Sequence, residues 1–152
     1  MTTDELTAFA HGVFDAQPFS GFLGAELTGV GPGTAEIRVR NRPELRQQHG
    51  FLHGGVVSYL ADNALTFAGG LALGGDALTA EYKINYAKPA VGDVIVARAE
   101  AVVTTRRQAI CRCTITVHRD GAADGDAEGR VVAVAQGTIV TAGPAPAAAD
   151  AG

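Results

Sequence analysis

Hydrophobic positions along the chain follow two periods. Leu6, Phe9, Ala10, Val13 and Phe14 recur at intervals of three and four, which predicts one buried face of a helix. Thr2 or Thr3 can cap it, with Asp4 and Glu5 in the first turn near the positive end of the dipole, and Gln17-Pro18 ends it. The period then drops to two. Strands are predicted at 25–30 and 34–41, joined by Gly31-Pro32-Gly33. In the second, Ala35, Ile37 and Val39 alternate with Glu36, Arg38 and Arg40, so one face is buried and the other wet. Residues 42–52 read as a polar connection carrying Gln47, Gln48 and His49. Further strands are expected at 78–86, 93–105, 108–119 and 130–141, with a flexible hairpin connection at 121–129. Between the two groups of strands lies a helical segment, 54–69, closed by glycines. This order describes an α+β chain in which an antiparallel sheet folds around one central helix. The expected organisation is an N-terminal helical segment (1–19), a single domain (20–142) and a disordered tail (143–152).

The central segment, LHGGVVSYLADNALTFAGG, changes this picture. Between Arg46 and Asp76, Asp62 is the one formally charged residue. A helix that is apolar or small all round is usually buried, and an ionised Asp is seldom buried without partners. Before Asp62 comes His53-Gly54-Gly55, where two missing Cβ atoms allow close approach to the backbone. At a helix start the first N–H groups lack intrahelical partners and point outward with the positive dipole end. A carbonyl oxygen resting on the Gly54 N–H would be polarised. Eight residues separate Gly54 from Asp62, roughly 12 Å at 1.5 Å per residue, so one small reacting centre cannot touch both within one helix. Two such helices packed antiparallel lie about 8–10 Å apart, which lets Gly54 of one chain face Asp62 of another. Gly55, Ser58, Asp62 and Thr66 form a small, polar stripe suited to a wet cleft.

Composition narrows the class. The chain has 152 residues, 47% of them hydrophobic and 18% charged, as expected of one globular domain. A net charge of −4 argues against nonspecific nucleic-acid binding. The acidic, amphipathic start is unlike a signal peptide, and Asp62, Asn63 and the glycines break the uncharged run, so neither secretion nor a membrane helix is expected. Cys111 and Cys113 sit two apart in a strand-like run and read as reduced core thiols in a cytoplasmic protein. No G-x-S-x-G, P-loop or dinucleotide fingerprint occurs, and His11, His49, His53 and His118 lack metal-ligand spacing.

LHGGVVSYLADNALTFAG followed by LTAEYKINYAKPAVGD closely resembles the hotdog-fold acyl-CoA thioesterases of the PaaI-like type, over roughly residues 20 to 141. The resemblance implies a central helix wrapped by an antiparallel sheet, and dimers that pair into tetramers. It implies that the Gly54 N–H meets the thioester carbonyl, that His53 helps order the oxygen site, and that Asp62 of the neighbouring subunit is general base or nucleophile. Thr79 matches the family's Ser or Thr that holds the attacking water. Gln47 falls where many relatives carry Asn, which is a departure. Coenzyme A enters as part of the substrate, with no separate cofactor. Gly55 and Ser58 border the site, while Lys88, Arg106 and Arg107 are candidates for the phosphates of the nucleotide. Phe19, Phe22, Phe51 and Phe67 are candidates for the acyl pocket, with core packing as the alternative.

Two rival readings differ in class. A hotdog-fold hydratase or dehydratase generally pairs a catalytic carboxylate with His in one motif, and LRQQHGFL before His53 has no carboxylate. A non-catalytic acyl-CoA-binding protein has no reason to keep Asp62 beside a thioester. Thr79 shares strand parity with Glu81, Lys83 and Asn85, so a solvent-facing threonine is its bland alternative.

Overall fold

The structure is a computed structural model of the chain, and it describes residues 1–121 and 129–143. The expected flexible connection at 121–129 and the expected tail at 143–152 therefore lie almost wholly outside the described residues.

Local signals at the N-terminus act as expected. Helix α1 (Thr3–Asp15) opens with a capping box. Thr2 Oγ1 accepts from the Glu5 N–H at 3.2 Å, and the Glu5 carboxylate accepts from the Thr2 N–H at 2.7 Å. Leu6, Ala10 and Phe14 are buried and join the main core. Pro18 does more than end that helix. It starts a second, α2 (Pro18–Leu23), at the first helical position, where a missing N–H costs nothing.

Strands β1 (Ala25–Gly31), β2 (Thr34–Arg40), β3 (Ala77–Tyr86), β4 (Val94–Thr104), β5 (Gln108–His118) and β6 (Arg130–Thr141) form one antiparallel sheet. Their order is β1-β2-β4-β5-β6-β3, so β1 and β3 are the two edges. In β2, Ala35, Ile37 and Val39 are buried, as the alternation requires. The polar connection before the central helix holds a short 3-10 turn, Pro43–Leu45, and buries Leu45 and Leu52.

Helix α3 (Gly54–Leu73) packs across β2, β3, β4, β5 and β6, so the sheet wraps it. Leu60, Ala61, Ala64, Leu65 and Ala68 are fully buried. Cutting Leu60 or Leu65 to Ala would cost about 2–5 kcal/mol. By length and hydropathy α3 could cross a membrane, but it is the core helix of this sheet. It runs four residues beyond the expected stop at Gly69. A Cβ on Gly69 would sit 2.5 Å from Ile139 Cβ, so this glycine permits close helix–sheet packing and does not break the helix. The true stop is Gly74, whose φ of 79° caps the helix in the left-handed region.

Candidate active site

Residue by residue, the start of α3 leaves one donor unspent. His53 is the N-cap: its Nδ1 accepts from the Gly55 N–H at 2.8 Å, and its carbonyl accepts from the N–H groups of Val56 and Val57. Accepting at Nδ1 places the proton of a neutral ring on Nε2. The His53 N–H itself donates to the Leu45 carbonyl at 2.8 Å, tying the cap to the preceding loop. Among the described residues no hydrogen bond uses the Gly54 N–H. On the other side of that residue, Tyr86 Oη donates to the Gly54 carbonyl at 3.2 Å. Gly54 lines a cleft of ≈ 260 Å³ together with Gln47, Phe51, Tyr86 and Lys88. Gln47 Oε1 accepts from the His49 N–H, which commits its carbonyl to the loop.

A second cluster forms around the carboxylate. Thr79 Oγ1 donates to Asp62 Oδ1 at 2.6 Å. Thr66 Oγ1 lies 2.8 Å from the Asp62 carbonyl and 2.6 Å from Thr79 Oγ1. Thr79 spends its one proton on Asp62, so the single Thr66 proton is shared between the Asp62 carbonyl and Thr79 Oγ1. Asp62 Oδ2 has no hydrogen-bond partner among the described residues, and the residue is half-buried. Ser58, one turn earlier, pairs its hydroxyl with Tyr82 Oη.

Strand parity misplaces Thr79. A β-bulge between Thr79 and Glu81 resets the alternation of β3. Thr79 is half-buried and bonded to α3, whereas Glu81, Lys83 and Asn85 are exposed. The signal was available across the sheet. Gly137 is the lone glycine in β6, and a Cβ there would sit 2.7 Å from the Glu81 carbonyl oxygen of the bulged strand.

The other expected residues divide. Lys88 shares the Gly54 cleft, whereas Arg106 and Arg107 occupy the β4–β5 turn. That turn adjoins Thr141, which pairs with Ala77, while Tyr86 at the opposite end of β3 reaches Gly54. Within one chain the two arginines are therefore remote from Gly54. Phe19 and Phe22 are exposed on α2, Phe51 is half-buried in the Gly54 cleft, and Phe67 is buried edge-on to Phe14. Cys111 and Cys113 are free and buried, and burial pushes their thiols up to about 11 and about 12, which keeps them protonated and inert. Sequence reasoning missed Tyr86, and it missed a partly buried network of Gln17, Ser20, Tyr59 and Asn63 beside Asp62.

A wrapped central helix with an unspent N–H at its start and a clamped carboxylate at mid-length defines a class. The sequence profile of the Thioesterase superfamily matches residues 49–122. A thioesterase family protein from Silicibacter pomeroyi is 33% identical, with a TM-score of 0.80 over 89% of this chain and 96% of that one. The PaaI protein of the E. coli phenylacetic acid degradation operon shares the fold at 19% identity and a TM-score of 0.81, over 94% of this chain and 97% of its own. A mutant of the phenylacetic acid degradation protein PaaI from Thermus thermophilus is 28% identical, with a TM-score of 0.70 over 83% of this chain and 100% of that one. The chain belongs to the thioesterase superfamily, its fold is the hotdog fold, and its function is of thioesterase type.

Proposed function

We propose that the protein is an acyl-CoA thioesterase that hydrolyses an acyl- or aryl-acyl-coenzyme A to the free acid and CoA. The carrying observation is that two polar groups unspent among the described residues, the Gly54 N–H and Asp62 Oδ2, belong to separate clusters of one chain. Each lacks what the other supplies. Joined across a two-fold axis, they flank one thioester. The Gly54 N–H of one chain takes the carbonyl oxygen and stabilises the charge that grows there. Asp62 of the partner subunit either removes a proton from water or adds to the carbonyl itself, and both routes need its ionised form. Thr79 holds Oδ1 and leaves Oδ2 free for the attack. The C–S bond then breaks, and the CoA thiolate leaves without needing strong acid help.

The edge strand β3 supports the assembly. It offers unpaired backbone groups along the side of the sheet that carries Thr79, and pairing two copies there covers both edges at once. Such a dimer sets the Ser58–Asp62–Thr66 stripe of one α3 against the start of the other. The resemblance to PaaI-like enzymes supports a further pairing of dimers into homotetramers. His53 acts as the cap that fixes the Gly54 donor, and Gln47 and Lys88 meet the substrate in the Gly54 cleft. Gly55 and Ser58 line the approach, and any contact from Arg106 and Arg107 comes from another chain. Coenzyme A is part of the substrate, so no separate cofactor is required. The acidic net charge fits neither nucleic acid nor an anionic membrane surface as partner, and the reduced thiols fit a cytoplasmic setting.

The test is thiol release from a panel of acyl-CoAs by the wild type and by Asp62→Asn. Release that disappears with Asp62→Asn supports hydrolysis. Tight acyl-CoA binding without release by the wild type would make it a binding protein instead.

A further inference from the structure

Edge strand β3 grips α3 with three hydroxyls, one for each turn of the helix. Thr79 Oγ1 donates to Asp62 Oδ1 at 2.6 Å, Tyr82 Oη pairs with Ser58 Oγ, and Tyr86 Oη donates to the Gly54 carbonyl at 3.2 Å. On α3 these contacts fall four residues apart, so they form three rungs along one face. The outer rungs hold the two groups that the proposed mechanism uses. The hydroxyls of the middle rung have no part in its chemistry.

Two departures from a regular strand create the rungs. Thr79 and Tyr82 are three residues apart, which in an unbroken strand would put them on opposite faces. The bulge between Thr79 and Glu81 turns both toward α3. Gly137 of β6 lies opposite Tyr82, and a Cβ there would sit 2.7 Å from Tyr82 Cβ, so this placement of Tyr82 requires the glycine.

The middle rung also has a proton to spare. Ser58 and Tyr82 carry one hydroxyl proton each, and the bond between them uses one. Neither hydroxyl has another partner among the described residues, and both residues are half-buried. An acceptor for that proton is supplied by symmetry. Gly54 and Asp62 stand four residues either side of Ser58. A two-fold axis that brings Gly54 of one chain against Asp62 of the partner subunit therefore passes Ser58, and the two copies of Ser58 face each other.

We infer that the Ser58–Tyr82 hydroxyl pair is a positioning device: it meets its own copy on the two-fold axis and sets the register in which Gly54 faces Asp62. The inference rests on the cross-subunit reading of the thioesterase site. A polar contact between two helices fixes their register because a slip leaves it unpaired. A slip of one turn would separate the two pairs and part Gly54 from Asp62 by about 5 Å.

The experiment is disulfide trapping in the full chain. Facing Cα atoms on helices about 8–10 Å apart lie roughly 5 Å from each other, within disulfide reach. Ser58→Cys should crosslink to its own copy under mild oxidation and run mostly as a dimer on a denaturing gel. Asp15→Cys, an exposed position on α1, should not, and neither should the wild type, whose Cys111 and Cys113 are buried. Tyr82→Phe breaks the rung. It should lower kcat about tenfold on the acyl-CoA that the wild type cleaves fastest, with KM changed less than about twofold. Adding Ser58→Ala should cost nothing more, because the two hydroxyls act as one unit. A merely structural role would lower Tm and leave kcat unchanged. Absence of the Ser58→Cys crosslink in a native dimer, or wild-type kcat in a folded Tyr82→Phe, overturns the inference and leaves hydrolysis standing. If the wild type releases no thiol, it is the proposed function that fails, and the crosslink alone decides whether the two chains meet at this rung.

Discussion

The first and third turns of α3 solve opposite problems. In the first, the working group is backbone: His53 consumes the neighbouring donors, Tyr86 takes the Gly54 carbonyl, and the Gly54 N–H is left over. In the third, the working group is a side chain: Asp62 is held at one oxygen by Thr79, and Thr66 steadies Thr79. The first turn needs the absence of a side chain and an open approach. The third needs a charged side chain in a half-buried place, and it gets one hydroxyl donor, Thr79 of β3, in place of a counter-ion. A rigid helix keeps the two roughly 12 Å apart. Separation along one helix becomes juxtaposition only when a second helix runs the other way.

Substitutions at each turn should break this division of labour unequally. Asp62→Asn keeps shape and should lower kcat by about 10²–10⁴ with little change in Tm, read by thiol release and thermal melting. Gly54→Pro should cost about 10²–10³ in kcat. The fold should tolerate it, because the Gly54 N–H has no partner among the described residues and His53, with ψ of 136°, is already extended as the residue before proline must be. Thr79→Val removes the hydroxyl that aims Asp62. It should lower kcat about tenfold and stability by about 1 kcal/mol, and Thr79→Ser should restore both. Tyr86→Phe, which loses one neutral hydrogen bond to the first turn, should cost no more than about fivefold in kcat.

The smallest effect is expected away from both turns. His118 is buried with Nδ1 unpartnered among the described residues, and burial together with Arg98 lowers its pKa from the ordinary 6.5. The folded chain then holds fewer protons than the unfolded one near that value. Its contribution is complete above pH 6.5 and is lost as the pH falls. His118→Gln should flatten the drop in Tm on acidification, and an unchanged drop would show that other groups carry it.

Much of this could be read in the sequence, for physical reasons that differ by residue. The alternation at Ala35, Ile37 and Val39 and the capping box at Thr2 and Glu5 are local, and local rules place them. Asp62 stands out because an apolar helix makes a lone charge conspicuous. The end of α3 is easily misread because Gly69 looks like a stop, yet it serves contact with Ile139 on the distant strand β6. Strand parity alone misplaces Thr79 for a similar reason. Its direction depends on a bulge whose only mark, Gly137, lies on β6. The remoteness of Arg106 and Arg107 from Gly54 follows from strand order and is invisible to spacing along the chain.

The central claim is that Gly54 and Asp62 act together from different chains, and complementation between two disabled variants tests it most directly. Gly54→Pro and Asp62→Asn, each nearly inactive, are unfolded together in equal amounts and refolded. Random association makes half of the dimers mixed, and each mixed dimer has one site with both defects and one with neither. Roughly a quarter of wild-type activity should therefore return. No recovery, with both variants folded and subunit exchange verified, would contradict a site shared between chains.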